Sequence, residues 1–577
     1  MINSTFGSFV TARLGMSASQ KALSVVGQNI ANISTPGYTR QRVDQVSINV
    51  GGTGNKYVSG NLVNIGNGVM VTGVSQLRDP FLDRRFRTEM AQVGEYDIWT
   101  SGLNELAGIL DETSMKEDGG GIHNQLGDLL SKLNDLSNNV GNNEYDNMVK
   151  SSADILVKLF NSYAEQIESI RGNVETDLKD VDIEAVNNIL KNIQELNVSI
   201  KDSQIHGDDA LELQDQRNSL IDELATYVNI DVKYDTVQVT DAVSVEELSI
   251  RLVGQDGKKI DLIHDDQIRQ FSASKNDQTG EWSIGLSALS PEDTELINAF
   301  NSAEKAWMEA KTAWEADPTN AELKQTYIEA RDQYIKIRDQ KEAAEKAGEA
   351  IDDINADLTT GSLKSSLDLL NGQGEFAAAD GNDAKGIGYY EKALDLLANK
   401  LAQSFNDANT LNQTGTVKDH VLFESNDGGP ITADNIKIAD GWANNEYGIT
   451  ASKDPDAPVG ASDNISHMIS MMKESMTYTT GGNPDEKIFE GTFQEYFTNI
   501  GVVLGLDIAS GNEILNNHVS LASDINQSRD NVSGVSLDEE GMNMIQYSQA
   551  YNASARFMTV LDEALDTLIN NMGVVGR

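Results

Sequence analysis

The chain of 577 residues contains no cysteine. That absence excludes a disulfide framework, a thiolate nucleophile and zinc–thiolate sites. In a chain this long it reads as avoidance, which suits a protein that ends up outside the cell without a disulfide-forming step. Basic residues are scarce, with 44 Lys and Arg against 90 Asp and Glu, a net charge of −46. Such a chain repels nucleic acid and anionic lipid. Aromatic residues are only 6%, while Asn, Ser, Gly and Asp are abundant, a composition that fits an exposed extracellular surface. No run of 18 apolar residues is present, so no membrane span is expected. The segment Met1-Ile2-Asn3-Ser4-Thr5-Phe6 has neither a basic n-region nor an apolar h-region, so no cleaved secretory signal is expected.

Catalytic motifs are also missing. The six histidines (His123, His206, His264, His420, His467, His518) are scattered, none at metal-ligand spacing from another. There is no G-x-S-x-G and no P-loop; Gly51-Gly52-Thr53-Gly54-Asn55-Lys56 reads as a turn. Asp380, Asn382 and Glu391 occupy positions 1, 3 and 12 of a calcium-like loop, but Lys385 and Ala384 stand where its glycine and a ligand belong. Neither a metal nor a cofactor is expected, and no catalytic residue is assigned.

Hydrophobic residues make up 39% of the chain, enough for real cores, and the length suggests about three to five domains. Charge is unevenly spread. Residues 1–90 hold nine Lys/Arg and four Asp/Glu, whereas 529–577 hold three and seven, so the two ends are electrostatically complementary.

The ends also share a pattern. Ala12, Met16, Ser19, Leu23, Val26, Ile30 and Ile33 alternate in steps of four and three, a narrow heptad seam. Ala18 and Ala22 keep that helix slim, and Thr35-Pro36-Gly37 ends it. At the other end Met544, Tyr551, Met558, Leu565 and Met572 fall seven apart. Tyr547, Ser554, Leu561, Leu568 and Val575 form the accompanying row. Asp538, Glu539 and Glu540 precede this run, where a helix dipole favours acids. Thin terminal helices bury little alone and are marginal in water. They are expected to pair with each other or with neighbouring subunits. The assembly interface is therefore assigned to Met16, Leu23, Val26, Ile30, Ile33, Met544, Tyr551, Met558, Leu561, Leu565, Leu568 and Met572. Ordinary amphipathic helices on one domain core would show the same periodicity; position at both extremes of the chain favours assembly.

These residues carry a family likeness. Gly15-Met16-Ser17-Ala18-Ser19-Gln20-Lys21-Ala22-Leu23, followed by Asn29-Ile30-Ala31-Asn32 and Thr35-Pro36-Gly37-Tyr38-Thr39-Arg40-Gln41, resembles the N-terminal signature of the flagellar axial rod and hook proteins. The Arg-Gln ending and the upstream Gly-Met-Ser-Ala-Ser-Gln are similar to the hook-associated branch of that family. So are Leu537-Asp538-Glu539-Glu540 and Gln549-Ala550-Tyr551-Asn552 at the C-terminus, and Leu213-Gln214-Asp215-Gln216-Arg217-Asn218 in the middle. The resemblance covers roughly 1–90, 150–235, 360–412 and 500–577. It implies a structural adaptor layer joining hook to filament and needed for filament assembly. It further implies export by the flagellar type III apparatus without a cleaved signal, and an extracellular site at the hook–filament junction. Implied partners are other copies in a ring or tube, hook protein on one side, the next hook-associated protein on the other, and an export chaperone on the C-terminal helix.

The fold expected is mainly α with β-rich outer domains, an α+β multidomain chain. Residues 1–60 and 530–577 form a terminal coiled-coil assembly domain. Residues 61–230, 360–412 and 463–529 form a helical-bundle stem, with helices to about 112 and over 122–140, 145–178 and 180–228. Residues 231–291 and 350–359 form a strand-rich outer domain held away from the stem, with 292–349 inserted as a helical hairpin. Residues 413–462 form a second small β-rich outer element. Another axial part (rod, hook or flagellin) is the nearest rival reading, and an adhesin or hydrolase carried by 236–355 and 413–498 is a rival from another class.

Overall fold

A computed structural model describes residues 5–571, apart from 49–67, 111–120, 241–242, 289–293, 317–319, 379–380, 411–419, 453, 455, 459 and 482–485. The turn at Gly51–Lys56, and Met572 and Val575, lie outside the described residues.

The first helix, α1 (Thr5–Ala31), leads into an antiparallel pair, β1 (Gln41–Ser47) and β2 (Val69–Gln76), with a bulge between Asp44 and Gln45. The last helix, α14 (Leu537–Asn571), packs along α1. Its direction follows from two contacts: Gly15 faces Ser554, while Arg40 meets Glu540. The terminal pair is therefore antiparallel.

Helix α2 (Pro80–Leu110) starts where Asp79 accepts the Phe81 N–H at 2.9 Å, with proline in the first turn. It pairs with α13 (Phe493–Ser533), which opens on a capping box: Thr492 accepts the Glu495 N–H at 3.2 Å and Glu495 accepts the Thr492 N–H at 2.8 Å. Arg529 meets Asp83 at 2.8 Å near one end and His518 meets Glu89 at 2.7 Å further along, so these helices are also antiparallel.

Next come α3 (Ile122–Asn138) and α4 (Asn143–Thr176), a π-helical turn Asp177–Asp182, α5 (Ile183–Ile205) and α6 (Leu211–Tyr227). Helical structure thus continues without interruption from Asn143 to Ile205. The sequence pattern placed one helix over 180–228. The actual break lies at 206–210, where Gly207 adopts φ +87° after the last turn, a conformation that stops a helix at low strain.

Two apolar cores organise the stem. The first joins Leu103 and Leu106 of α2, Leu126, Leu129 and Leu133 of α3, and Leu156 and Phe160 of α4. It continues through Leu394, Leu397 and Leu401 of α10 (Ile387–Thr410) and Phe493, Phe497 and Ile500 of α13. Fully burying each such side chain contributes about 1.5–3 kcal/mol. The segment expected as a second outer element belongs to this core. Phe423 of β9 (Phe423–Ser425), Ile436 of β10 (Ile436–Ile438) and Trp442 in the short α11 (Asp440–Ala443) are buried in it. Asn161 of α4 donates to the Ala433 and Asp434 carbonyls at 2.8 and 2.9 Å. After α12 (Asp463–Lys473) comes a hairpin, β11 (Met476–Thr479) and β12 (Lys487–Gly491), within a region expected to be helical. Tyr478 stacks on Tyr496 with centroids 4.0 Å apart, which seats the hairpin on α13.

The second core is mixed. β3 (Ile230–Thr240), β4 (Val243–Val253), β5 (Lys259–His264) and β6 (Gln267–Ile268) form an antiparallel meander, and β7 (Phe271–Lys275) pairs with β8 (Trp282–Leu286). Ile250, Leu252 and Leu262 share a core with Val186, Leu190 and Ile193 of α5, Leu224 of α6, and Leu363 and Leu367 of α9 (Ser362–Asn371). The strand-rich domain is thus not held away from the helices. α5 and α6 supply part of its interior, because a sheet with one apolar face needs such a cover. An antiparallel pair, α7 (Thr294–Ala316) and α8 (Ala321–Gly348), leaves and rejoins this domain.

Candidate assembly interface

The buried stripe of α1 runs through Ala12, Ala18, Ser19, Ala22, Val26 and Asn29. Gly15 continues it: a Cβ there would lie 3.0 Å from the Ser554 hydroxyl oxygen. The close-packed row is therefore Ala12, Gly15, Ser19, Ala22, Val26 and Asn29, made mostly of small residues. Of the assigned residues on α1, Val26 is buried, and Met16, Leu23 and Ile30 flank the row half-buried. Ile33 lies beyond the helix end and is exposed. Small side chains at the contact let the two backbones approach closely, and the larger ones close over the edges.

On α14, Tyr551, Met558, Leu561 and Leu565 are half-buried and share one face with Tyr547 and Ser554. Met544, nearer the start, is exposed. Leu568 lies in the helix, and Met572 is outside the described residues. At 100° per residue, Met542, Ile545 and Val560 fall on the side away from this face, each between 59% and 65% exposed, and Phe557, 45% exposed, flanks it. The terminal pair thus presents a second, uncovered apolar surface.

The loop after α1 is tied by polar contacts that apolar periodicity does not reveal. Asn29 is buried; its Nδ2 donates to the Gln41 carbonyl at 2.9 Å, and its Oδ1 accepts the Gln41 N–H at 3.0 Å and the Tyr38 hydroxyl at 2.9 Å. One side chain thereby closes the loop over Thr35-Pro36-Gly37. The Thr39 N–H donates to Asp215 at 2.9 Å, and Gln41 Nε2 to Glu212 at 3.0 Å, which fastens the loop to α6. Burial raises the Asp215 pKa against the pull of its Thr39 contacts, and raises that of Tyr38, with Glu212 and Asp215 adding to the effect.

Arg40 links this loop to α14. Its N–H donates to the Ser533 carbonyl at 2.8 Å, at the joint between α13 and α14. Its guanidinium meets Glu539 at 2.5 Å and Glu540 at 2.7 Å. Burial works against the Arg40 charge, but the two carboxylates hold its pKa above the ordinary value. Arg529 carries the connection onward, bonding Asp222 of α6 at 2.7 Å and Asp83 of α2 at 2.8 Å and lying over Phe86. Sequence reasoning chose none of Asn29, Asp215 or Arg529 for the interface. The quoted Asn29-to-Gln41 motif was the available signal.

Elsewhere, Asn382 and Glu391 of the calcium-like loop are engaged, Asn382 with Asp368 at 2.9 Å and Glu391 with Arg171, while Asp380 is outside the described residues. Among the described residues no helix is long and apolar enough to cross a membrane.

Paired terminal helices, a polar clasp that sets their angle to the stem, and an uncovered apolar face describe a structural subunit rather than a reaction site. Comparison with known proteins agrees. Residues 110–304 match the model of the flagellar hook-associated protein FlgK helical domain. Residues 9–39 match the flagella basal body rod protein model, and 526–572 the flagellar basal body rod FlgEFG protein C-terminal model. Flagellar hook-associated protein 1 of Bacillus subtilis is 27% identical over 592 aligned residues spanning all of both chains. The proteins of that name from Escherichia coli and Salmonella typhimurium are 25% and 27% identical over 38% of each chain. A structure of the flagellar hook junction protein FlgK from Burkholderia pseudomallei aligns over 78% of this chain and 100% of that one, at 11% identity and a TM-score of 0.48. Over its whole length the chain is similar to flagellar hook-associated protein 1, and it is a structural component of the bacterial flagellum.

Proposed function

We propose that this chain forms the adaptor layer between hook and filament, outside the cell, and that its terminal helix pair is the surface through which copies associate. The observation that carries this reading is the exposed apolar set Met542, Ile545 and Val560, uncovered while the opposite face of α14 is closed by α1. Large apolar side chains held exposed on one side of a helix mark a surface available for association. Hook protein would meet one side of the layer and the next hook-associated protein the other. Before export the same face would need cover, a role suited to a chaperone that grips α14.

The test is an Ile545→Asp, Val560→Asp double variant in cells lacking the gene. Both residues point away from the α1 seam, so the monomer should keep its circular dichroism and thermal transition. A charge in a buried interface without a partner is strongly unfavourable. The expected phenotype is bare hooks with flagellin shed into the medium. Normal filaments and motility from this variant would refute the assignment of this face.

A further inference from the structure

Among the described residues, the helical hairpin α7–α8 contributes no side chain to the core of the domain that carries it. That core passes from β8 straight to Ile351 and Ile354. The hairpin closes on itself: Trp307 stacks on Tyr334 with centroids 4.8 Å apart, and Trp314 on Tyr327 at 5.0 Å. Among the described residues neither helix packs extensively on any other element.

Its two roots converge. The backbones of Leu286 and Ile351 exchange hydrogen bonds of 2.7 and 2.8 Å, an antiparallel bridge at the base. Beneath it lies Arg269, whose side chain is fully buried. Its Nη1 donates to the Ser287 carbonyl at 2.8 Å and to the Glu349 carbonyl at 2.6 Å. One nitrogen thus holds the outgoing and the returning strand together. Ser287 is fixed again through Gln270, whose N–H donates to the Ser287 hydroxyl at 2.8 Å. Burying a guanidinium is unfavourable unless its donors are satisfied, and here the two roots of the insertion supply acceptors.

We infer that residues 288–349 are a mounted module, separable from the fold that assembles, and that Arg269 is the positioning residue that sets it on the sheet. The roots are close enough for a two-residue turn to replace the whole insertion, as in an ordinary hairpin. Assembly through the terminal helices then does not depend on the module, whose exposed surface is left for a separate outward role.

Three variants test this: the full chain with Arg269→Leu, the chain with 288–349 replaced by Asn-Gly, and the shortened chain with Arg269→Leu. In the full chain, Arg269→Leu should raise the rate of thermolysin cleavage at the roots at least tenfold, while the stem stays intact. The shortened chain should fold, be exported and restore motility. In the shortened chain, Arg269→Leu should lower the thermal midpoint by much less than in the full chain, since the two-residue turn then joins the roots covalently and the cation is no longer needed to hold them together. A shortened chain that aggregates with and without Arg269→Leu would overturn the module. An equal drop in thermal midpoint from Arg269→Leu in both backgrounds would show that Arg269 only supports the sheet.

Discussion

Arg40 and Glu540, separated by 500 residues of sequence, are joined by a contact of 2.8 Å from Nε to Oε1, with the Glu540 side chain only 2% exposed. The pair fixes the first turn of α14 against the loop that follows α1. Removing one partner of a buried pair leaves the other charge uncompensated. Arg40→Ala should therefore weaken local protection of α14 near 537–545 by about 3 kcal/mol, read as faster amide hydrogen exchange. Unchanged exchange there would mean that the clasp is incidental.

Asn29→Leu removes one side chain but strands three groups: the Gln41 N–H, the Gln41 carbonyl and the Tyr38 hydroxyl. Each buried group left unpaired costs about 1–3 kcal/mol, with Tyr38 partly rescued by water. The expected result is rapid exchange of the Gln41 amide and proteolysis in the loop at 34–40, with the stem unaffected. A loop that stayed protected would show that Asp215 and Glu212 suffice to hold it.

The approach of α1 to α14 at Gly15 predicts a coupled pair. Gly15→Ala gains about 1 kcal/mol of helix propensity, but its Cβ would sit 3.0 Å from the Ser554 hydroxyl oxygen. In a double-mutant cycle with Ser554→Gly, the gain from Gly15→Ala should be larger by about 1 kcal/mol once the hydroxyl is gone. Additivity within experimental error would separate the two residues.

Asp395 gives the stem a pH dependence. Burial pushes its carboxyl up to about 6, against the pull of the Ala433 N–H and with Glu391 and Asp434 adding to the rise. The folded pKa lies above the unfolded value. Its stabilising contribution is therefore complete below about pH 4 and is lost as pH rises through 6. Asp395→Asn, whose amide oxygen can keep the Ala433 N–H, should be more stable than the parent by about 2 kcal/mol at pH 8 and indistinguishable at pH 4. Urea midpoints measured across that range decide it; parallel profiles would contradict the assignment.

Both terminal helices and the half-buried stripe of α14 were legible in the sequence, because a seven-residue apolar period survives any tertiary context. The packing row on α1 was not. Hydrophobic periodicity selects Met16, Leu23 and Ile30, whereas close helix contact selects Gly15, Ala22 and Asn29, one position earlier in each turn. The hairpin at 476–491 carried its own signal, alternation around Met476 and Tyr478 followed by Gly481, but the strong helices on either side dominated the reading. What covers what was hidden. Trp442 in the stem core and Ile250 against α5 lie far in sequence from their cover, and only the folded chain brings them together.

The antiparallel meeting of α1 with α14 has a consequence for the order in which the molecule is built. Among the described residues no pair of elements has a longer loop to close, and the chain that closes it is synthesised last. Closure entropy grows only with the logarithm of loop length, and once the two stem cores have formed the loop shrinks to the short joints at 32–40 and 534–536. Within the stem α2 and α13 are themselves far apart in sequence, and once they pair, α1 and α14 stand at adjoining ends of them. The folding programme is therefore written into the topology: the middle forms first, and the two tips meet last.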